Sequence, residues 1–270
     1  MVSVREVNLH GCNENVRFSC VMLLAWLLCW PSLSAAELPL NVYVGQGQMP
    51  YADDKAGNHG LFGELMQAMC DRLQRECRYV SVPWKRVQLE VATDPQGIVL
   101  SLGRVAERED GFIWLLDVLP SSYVLASQGK SYGSLSQALT AGPVVVMAGT
   151  PRSLELQALK QPGQVVVEVT DPKQAARMLH SGRVSAWYEI DMRVNYLWHL
   201  LGYPPAEIQF GTPINVTHNY IAGSPILEDA ALIQRQMRQA FAELQADGSW
   251  GRILTRYLGE QIARELLQQP

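Results

Sequence analysis

Hydrophobic residues in this chain gather into short runs whose spacing changes from segment to segment. The run "LNVYVG" (40–45) is apolar and rich in β-formers, and it stops at the turn-prone "GQGQMPYADDKAGNHG" (45–60), which predicts a strand and then a loop. Leu61, Leu65, Met69 and Leu73 then recur at helical spacing and predict a helix over 61–75. Residues 79–82 return to a strand pattern, 85–93 suit a short helix, and "GIVLSL" (97–102) is a buried strand. The same order then recurs: strand "PVVVMAG" (143–149), helix 152–160, strand "VVVEV" (165–169), helix 172–181 and strand "VSAWYEI" (184–190). Strands alternating with helices of this length predict parallel sheets with right-handed crossovers.

The pattern therefore divides into two α/β runs, 38–120 and about 128–212. Between them "SSYVLASQGK" (121–130) reads as an extended crossing, and "NVTHNYIAGS" (215–224) reads as a second one before an amphipathic helix over 227–246. No low-complexity linker separates the runs, so they are expected to be lobes of one unit. Lobe I is 37–122 with 220–270, lobe II is 123–219, and the hinges lie near 121–126 and 215–220. Two such lobes leave a cleft beside the C-terminal ends of their strands, where open α/β sheets bind ligands.

Composition narrows the class. Of 270 residues 48% are hydrophobic and 18% charged, which suits a globular protein, and a net charge of −4 without any Lys/Arg run argues against a nucleic-acid partner. The segment "FSCVMLLAWLLCW" (18–30) follows Arg17 and precedes "PSLSAA", in which Ser34 and Ala36 offer the small residues of a cleavage site. Residues 1–36 are thus expected to be a signal peptide cleaved after Ala36, with the protein exported to the periplasm. The alternative is an uncleaved anchor, although the run falls short of the ~20 residues a membrane span needs. Cys12, Cys20 and Cys29 would leave with the leader, and Cys70 and Cys77 would remain as an even pair in an oxidising compartment. On an unbroken helix that spacing is ~10 Å, too long to bond, so a disulfide requires the helix to end between them; two buried thiols are the other reading.

Catalytic signatures are missing from the sequence: there is no HExxH, no GxSxG, and no metal spacing among His10, His59, His180, His199 and His218. No cofactor, no metal and no enzymatic activity are expected. Binding features are better developed. Arg108 follows a strand end and can fork onto a carboxylate, Gly103 opens the backbone to a ligand, and Ser101 adds a hydroxyl. "AGTPRS" (148–153) runs from a strand into a helix, with Thr150 as cap beside a helix N-terminus that favours anions. Tyr51 and Trp84 each follow a proline where the cleft should be and offer flat faces to a ligand. Glu189 and Asp191 end a second-lobe strand, where an acid would receive an ammonium group. The plainer reading makes "AGTPRS" a capped helix, the arginines solvated and Trp187 lobe core.

Several of these segments together resemble the periplasmic solute-binding proteins of polar amino-acid ABC transporters (bacterial extracellular solute-binding protein family 3). "GLFGELMQAMC" resembles that family's G-F-x-x-D-L helix, "VAERE" its T-x-x-R turn, "AGTPRS" its G-T/S-T loop, "LHSGRVSAWYEID" its L-x-x-G-R-x-D-A segment and "FAELQADGSWGRILTRYLG" its C-terminal helix. The resemblance implies a periplasmic-binding-protein-like type II fold, two α/β lobes joined by two hinge crossings. It also implies a monomeric receptor that hands a small-molecule ligand to an inner-membrane ABC permease. It maps the carboxylate-holding arginine onto Arg108, the assisting positions onto Ser101 and Gly103, and the flanking aromatic onto Trp84; the Cys70/Cys77 spacing matches a disulfide of lysine/arginine/ornithine-type members. Arg104 reads as a surface charge or a rim contact. The sequence departs from the pattern at Pro151, at Gly45 and Gln48, and at Ile190, which stands where the family has its amine-binding aspartate. An ordinary amino-acid ligand is thereby put in question and a basic one disfavoured. Two alternatives share the scaffold: a cyclohexadienyl dehydratase-like enzyme using Glu189 or Asp191, and a sensor for a membrane signalling partner.

Overall fold

The computed structural model describes residues 37–53 and 59–268, so the signal-peptide reading of 1–36 lies outside the described residues. Strands β1 (Leu40–Gly45), β2 (Cys77–Val82) and β3 (Gly97–Gly103) pair in parallel in the order β2-β1-β3, linked by helices α1 (Gly60–Leu73) and α2 (Trp84–Val91). Helix α1 buries Leu61, Leu65 and Met69 as their spacing predicted, together with Met66, while Leu73 is half-buried. It ends earlier than expected because Gln74 turns into the left-handed region at φ 52°. That turn brings the Cα atoms of Cys70 and Cys77 to 6.3 Å, and the two are disulfide-bonded.

The second half repeats the arrangement. After α3 (Leu135–Ala141), strands β5 (Val144–Met147), β6 (Val166–Val169) and β7 (Ala186–Ile190) pair in parallel in the order β6-β5-β7. Their connecting helices α4 (Pro151–Leu159) and α5 (Pro172–His180) both begin with proline, whose fixed φ suits a first turn. Thr150 caps α4 by accepting from Ser153 N at 3.3 Å, and Asp171 caps α5 by accepting from Lys173 N at 2.9 Å. Helix α6 (Asp191–Leu200) follows β7 directly and packs Trp198 with Trp187 in a core of its own.

The crossings are more ordered than extended segments. β4 (Ile113–Ser127) and β9 (Asn215–Gly223) lie side by side, antiparallel, with Pro120 opposite His218 and Tyr123 opposite Asn215. They join the two parallel triplets into one nine-stranded sheet of order β2-β1-β3-β9-β4-β7-β5-β6, with the short β8 (Gln209–Phe210) paired to β4. The expectation of parallel sheets therefore holds inside each triplet and gives way to an antiparallel ribbon between them, because a chain that leaves one half and later returns must run in opposite directions. Helices α7 (Ala230–Ala246), α8 (Ser249–Leu258) and α9 (Glu260–Leu267) close the fold; α7 buries Ile233, Met237, Phe241 and Leu244 and packs on β4 and α1. Among the described residues no helix is long and apolar enough to cross a membrane.

Candidate ligand-binding cleft

The C-terminal ends of β1 and β3 face those of β5 and β7 across a cleft. On the first side β3 loses its regular register with β9 between Val99 and Leu102, and Ser101 sits there with φ at 54°. A bulge breaks the in–out alternation of a strand, so Leu100 and Ser101 both reach the cleft wall although they are neighbours. Gly103 follows; a Cβ there would stand 3.3 Å from the Tyr123 hydroxyl. Gly45 leaves room of the same kind, since its Cβ would come within 2.8 Å of Trp84 Cε3 and Gln48 Cγ. Trp84, the first residue of α2, thereby lies over the strand end, with its indole nitrogen buried and unpartnered.

Arg108 stands on the 3₁₀ turn Ala106–Gly111 and leans into the cleft. Its Nε donates to Gln88 Oε1 at 3.1 Å and its Nη1 to the Gly103 carbonyl at 3.2 Å, both neutral acceptors. Burial holds its pKa below the ordinary guanidinium value, and the charge of nearby Arg152 acts in the same direction. Arg104, by contrast, is exposed, pairs with Glu109 and lies over Trp114 and Tyr220.

The second side adds two arginines. Arg152, in the first turn of α4, is 3% exposed; it donates Nη2 to Glu189 Oε1 and its guanidinium lies 4.7 Å over the Tyr123 ring. Arg193, in the first turn of α6, is 4% exposed; it donates Nη2 to Gln48 Oε1 at 3.0 Å and approaches Glu189 Oε1 at 3.5 Å. Glu189 itself is fully buried, with Oε1 shared between the two guanidinium groups and its own neighbour's amide, Ile190 N, at 2.9 Å. Among the described residues the cleft lining thus contains three arginines and no carboxylate.

Of the residues expected at the site, Arg108, Ser101, Gly103, Trp84 and Thr150 come together in this lining. Tyr51, Glu189 and Asp191 do not. Tyr51 is buried behind it with Arg193 5.2 Å from its ring, and Glu189 faces the arginines. Asp191 lines a separate depression with Pro120, Ser122 and Asn195, and burial pushes its carboxyl above the usual range. In their place stand Ile190, Gln48, Arg152 and Arg193. Glu189 ends a strand and Arg193 stands in the helix that follows, so helical spacing gave no signal for this pair.

Several contacts span the cleft. Gln48 of the β1 loop bonds Arg193, 145 positions away, and its Nε2 reaches Met147 Sδ at 3.6 Å. The stem of Lys85 lies against Gly149, where a Cβ would come within 2.9 Å of Lys85 Cγ and where φ is 74°.

No family model matches the sequence, and no curated protein matches it. Solved structures do. A Streptococcus pneumoniae ABC uptake transporter substrate-binding protein with bound histidine is similar at a TM-score of 0.70 and 14% identity, over 82% of this chain and 93% of that one. A histidine kinase sensor domain similar to periplasmic binding proteins gives 0.71 at 13% identity, over 83% and 97%. An ancestral amino-acid-binding protein, a precursor of cyclohexadienyl dehydratase, gives 0.69 at 13% identity, over 82% and 95%. At such identities the likeness is one of fold: the chain has the α/β fold of periplasmic amino-acid-binding proteins.

Proposed function

We propose that this protein is an exported receptor, related to the solute-binding proteins of polar amino-acid ABC transporters, that binds a small carboxylate-bearing solute in the cleft and delivers it to an inner-membrane ABC permease. The observation that carries this reading is Arg108: a partly buried guanidinium at a strand end, bonded to an amide oxygen and a carbonyl, in a lining that has no carboxylate among the described residues. Leaving a buried cation without a counter-charge is costly, and an arriving carboxylate would relieve that cost with two parallel hydrogen bonds. Ser101 and the Gly103 backbone stand beside it, and Trp84 offers a flat cover.

In this reading the halves are lobes, 37–122 with 220–270 and 123–219, that rotate about the paired β4–β9 segments near 121–126 and 215–220. The Gln48–Arg193 bond and the Lys85–Gly149 contact are then closure contacts, and ligand favours the state in which they form. The neighbouring scaffold of a dehydratase precursor keeps an enzymatic reading in view. It needs an acid or base in the cleft, and the two candidates, Glu189 and Asp191, lie outside the lining residues, which favours binding over catalysis. A thermal-shift screen of amino acids and small carboxylates tests the proposal, with small-angle scattering on any hit. Stabilisation by at least one carboxylate and a smaller radius of gyration are expected. A screen in which no carboxylate stabilises the protein sinks the receptor reading, and a rigid radius at saturation sinks the hinge.

A further inference from the structure

The cleft is built for more negative charge than one carboxylate carries. Arg108, Arg152 and Arg193 line it, and Glu189 stands behind two of them. Those three guanidinium groups and the Glu189 carboxylate together leave an excess of two positive charges, and the other acid whose charge reaches Arg108, Glu107, is exposed. The guanidinium groups also keep unused donors: the Nε atoms of Arg152 and Arg193 are buried without partners, in side chains only 3% and 4% exposed. Arg108 and Arg152 adjoin Tyr123, whereas Arg193 bonds Gln48 and lies over Tyr51, with Glu189 Oε1 between Arg152 and Arg193. Where an ammonium group would need an acid, the lining offers Ile190; Glu189 gives its Oε1 to the two guanidinium groups, and its unpartnered Oε2 is buried outside the lining.

Resting on the receptor reading above, we propose that the ligand is a small dianion without an amino group, a dicarboxylate in the simplest case, held at one end by Arg108 with Arg152 and at the other by Arg193 with Gln48. Two anionic groups neutralise the excess charge and occupy both sets of free donors. The apolar Leu100 and Ile190 in the same wall suit a short hydrocarbon linker. An α-ammonium group would bring a further positive charge among three guanidinium groups and meet no acid among the described lining residues.

Calorimetry on the protein with three matched sets of probes tests this: the dicarboxylates from malonate to adipate, and the monocarboxylates and α-amino monocarboxylates of the same chain lengths. At the best length the dicarboxylate is expected to bind at least about tenfold more tightly than either counterpart. Arg193→Gln should reduce that preference to under about threefold. Because a buried arginine is replaced there, Ile190→Asp serves as a second variant; placing an acid on the wall should weaken the dicarboxylate and strengthen the α-amino acid, inverting the order. Equal or tighter binding of an α-amino monocarboxylate by the unaltered protein overturns the dianion inference while leaving the carboxylate receptor standing. A dicarboxylate preference that neither folded variant changes overturns the assignment of Arg193. Failure of every carboxylate to bind removes the receptor reading and this inference with it.

Discussion

The two ends of the sheet have the same plan and use it differently. β2-β1-β3 and β6-β5-β7 are parallel triplets in which the first strand lies in the middle. The first triplet presents its polar groups from irregular backbone: a bulged Ser101, a bare Gly103 and a 3₁₀ turn bearing Arg108. The second presents its own from the first turns of two helices, with Arg152 and Arg193 buried and braced on one carboxylate. Arg108 therefore has only neutral partners and depends on a ligand for its counter-charge, whereas the Arg152–Glu189–Arg193 cluster belongs to the folded state whether or not ligand is present. One arginine should matter for binding alone, and the buried cluster for binding and folding together.

The most severe way to break this contrast is Glu189→Ala. Removing the shared acid leaves two guanidinium groups buried among one another, and the loss of one partner from a buried ion pair costs ~3–5 kcal/mol. Chemical denaturation should show a loss of that order, partly recovered by a bound anion, because ligand then supplies the missing charge. A variant as stable as the unaltered protein would mean that the cluster does not brace the second half.

Arg108→Ala comes next, on binding. A bidentate, partly desolvated pair with a carboxylate should be lost at ~2–5 kcal/mol of binding energy, mostly as faster dissociation. Stability without ligand should barely fall, since the group lost is a desolvated cation held only by Gln88 and Gly103. Arg108→Lys should recover only part, keeping the charge but losing the fork. Calorimetry and denaturation on the same samples separate the two effects. A large stability loss with intact binding would reverse the roles of the two halves.

Much of this contrast could be read from the sequence on one side and little of it on the other. Leu61, Leu65, Met69 and Leu73 announced α1, the apolar runs announced six of the strands, and Arg108, Ser101 and Gly103 stood out because a strand end, a glycine and an arginine are local features. Arg152 gave no such signal. It reads as one more polar residue in a helix first turn, and its burial depends on Glu189, 37 positions away on another strand. Propensity and periodicity report on neighbours in sequence and say nothing of a partner that only the sheet brings near. The same reason hid the β4–β9 pairing, which joins segments about a hundred residues apart.

The disulfide gives a smaller effect that should fall on folding alone. It ties the end of α1 to the start of β2, away from the cleft lining, and closes a loop with a sequence separation of 7. Loop entropy for so short a closure amounts to ~2 kcal/mol. Cys70→Ala should lower stability by about that amount and leave ligand affinity as it was. A matching loss of affinity would show that the bond holds the first half of the cleft in shape.

Arg104→Ala should have the smallest effect, and it tests the contrast within a few residues of chain. Arg104 and Arg108 sit on the same loop, and both are guanidinium groups near the end of β3. The difference is solvent. The Arg104 side chain is 41% exposed, pairs with Glu109 and packs on Trp114 and Tyr220, and it is not part of the cleft wall. An exposed ion pair exchanges water contacts for protein contacts at little net gain, so its removal should cost under ~1 kcal/mol in stability and less in binding. Raising the salt concentration should shrink even that difference, because exposed charges are screened, while the Arg108 effect persists. If Arg104→Ala instead abolishes binding and Arg108→Ala does not, the ligand's carboxylate lies on the rim of the cleft, and burial has been the wrong guide to which arginine holds it.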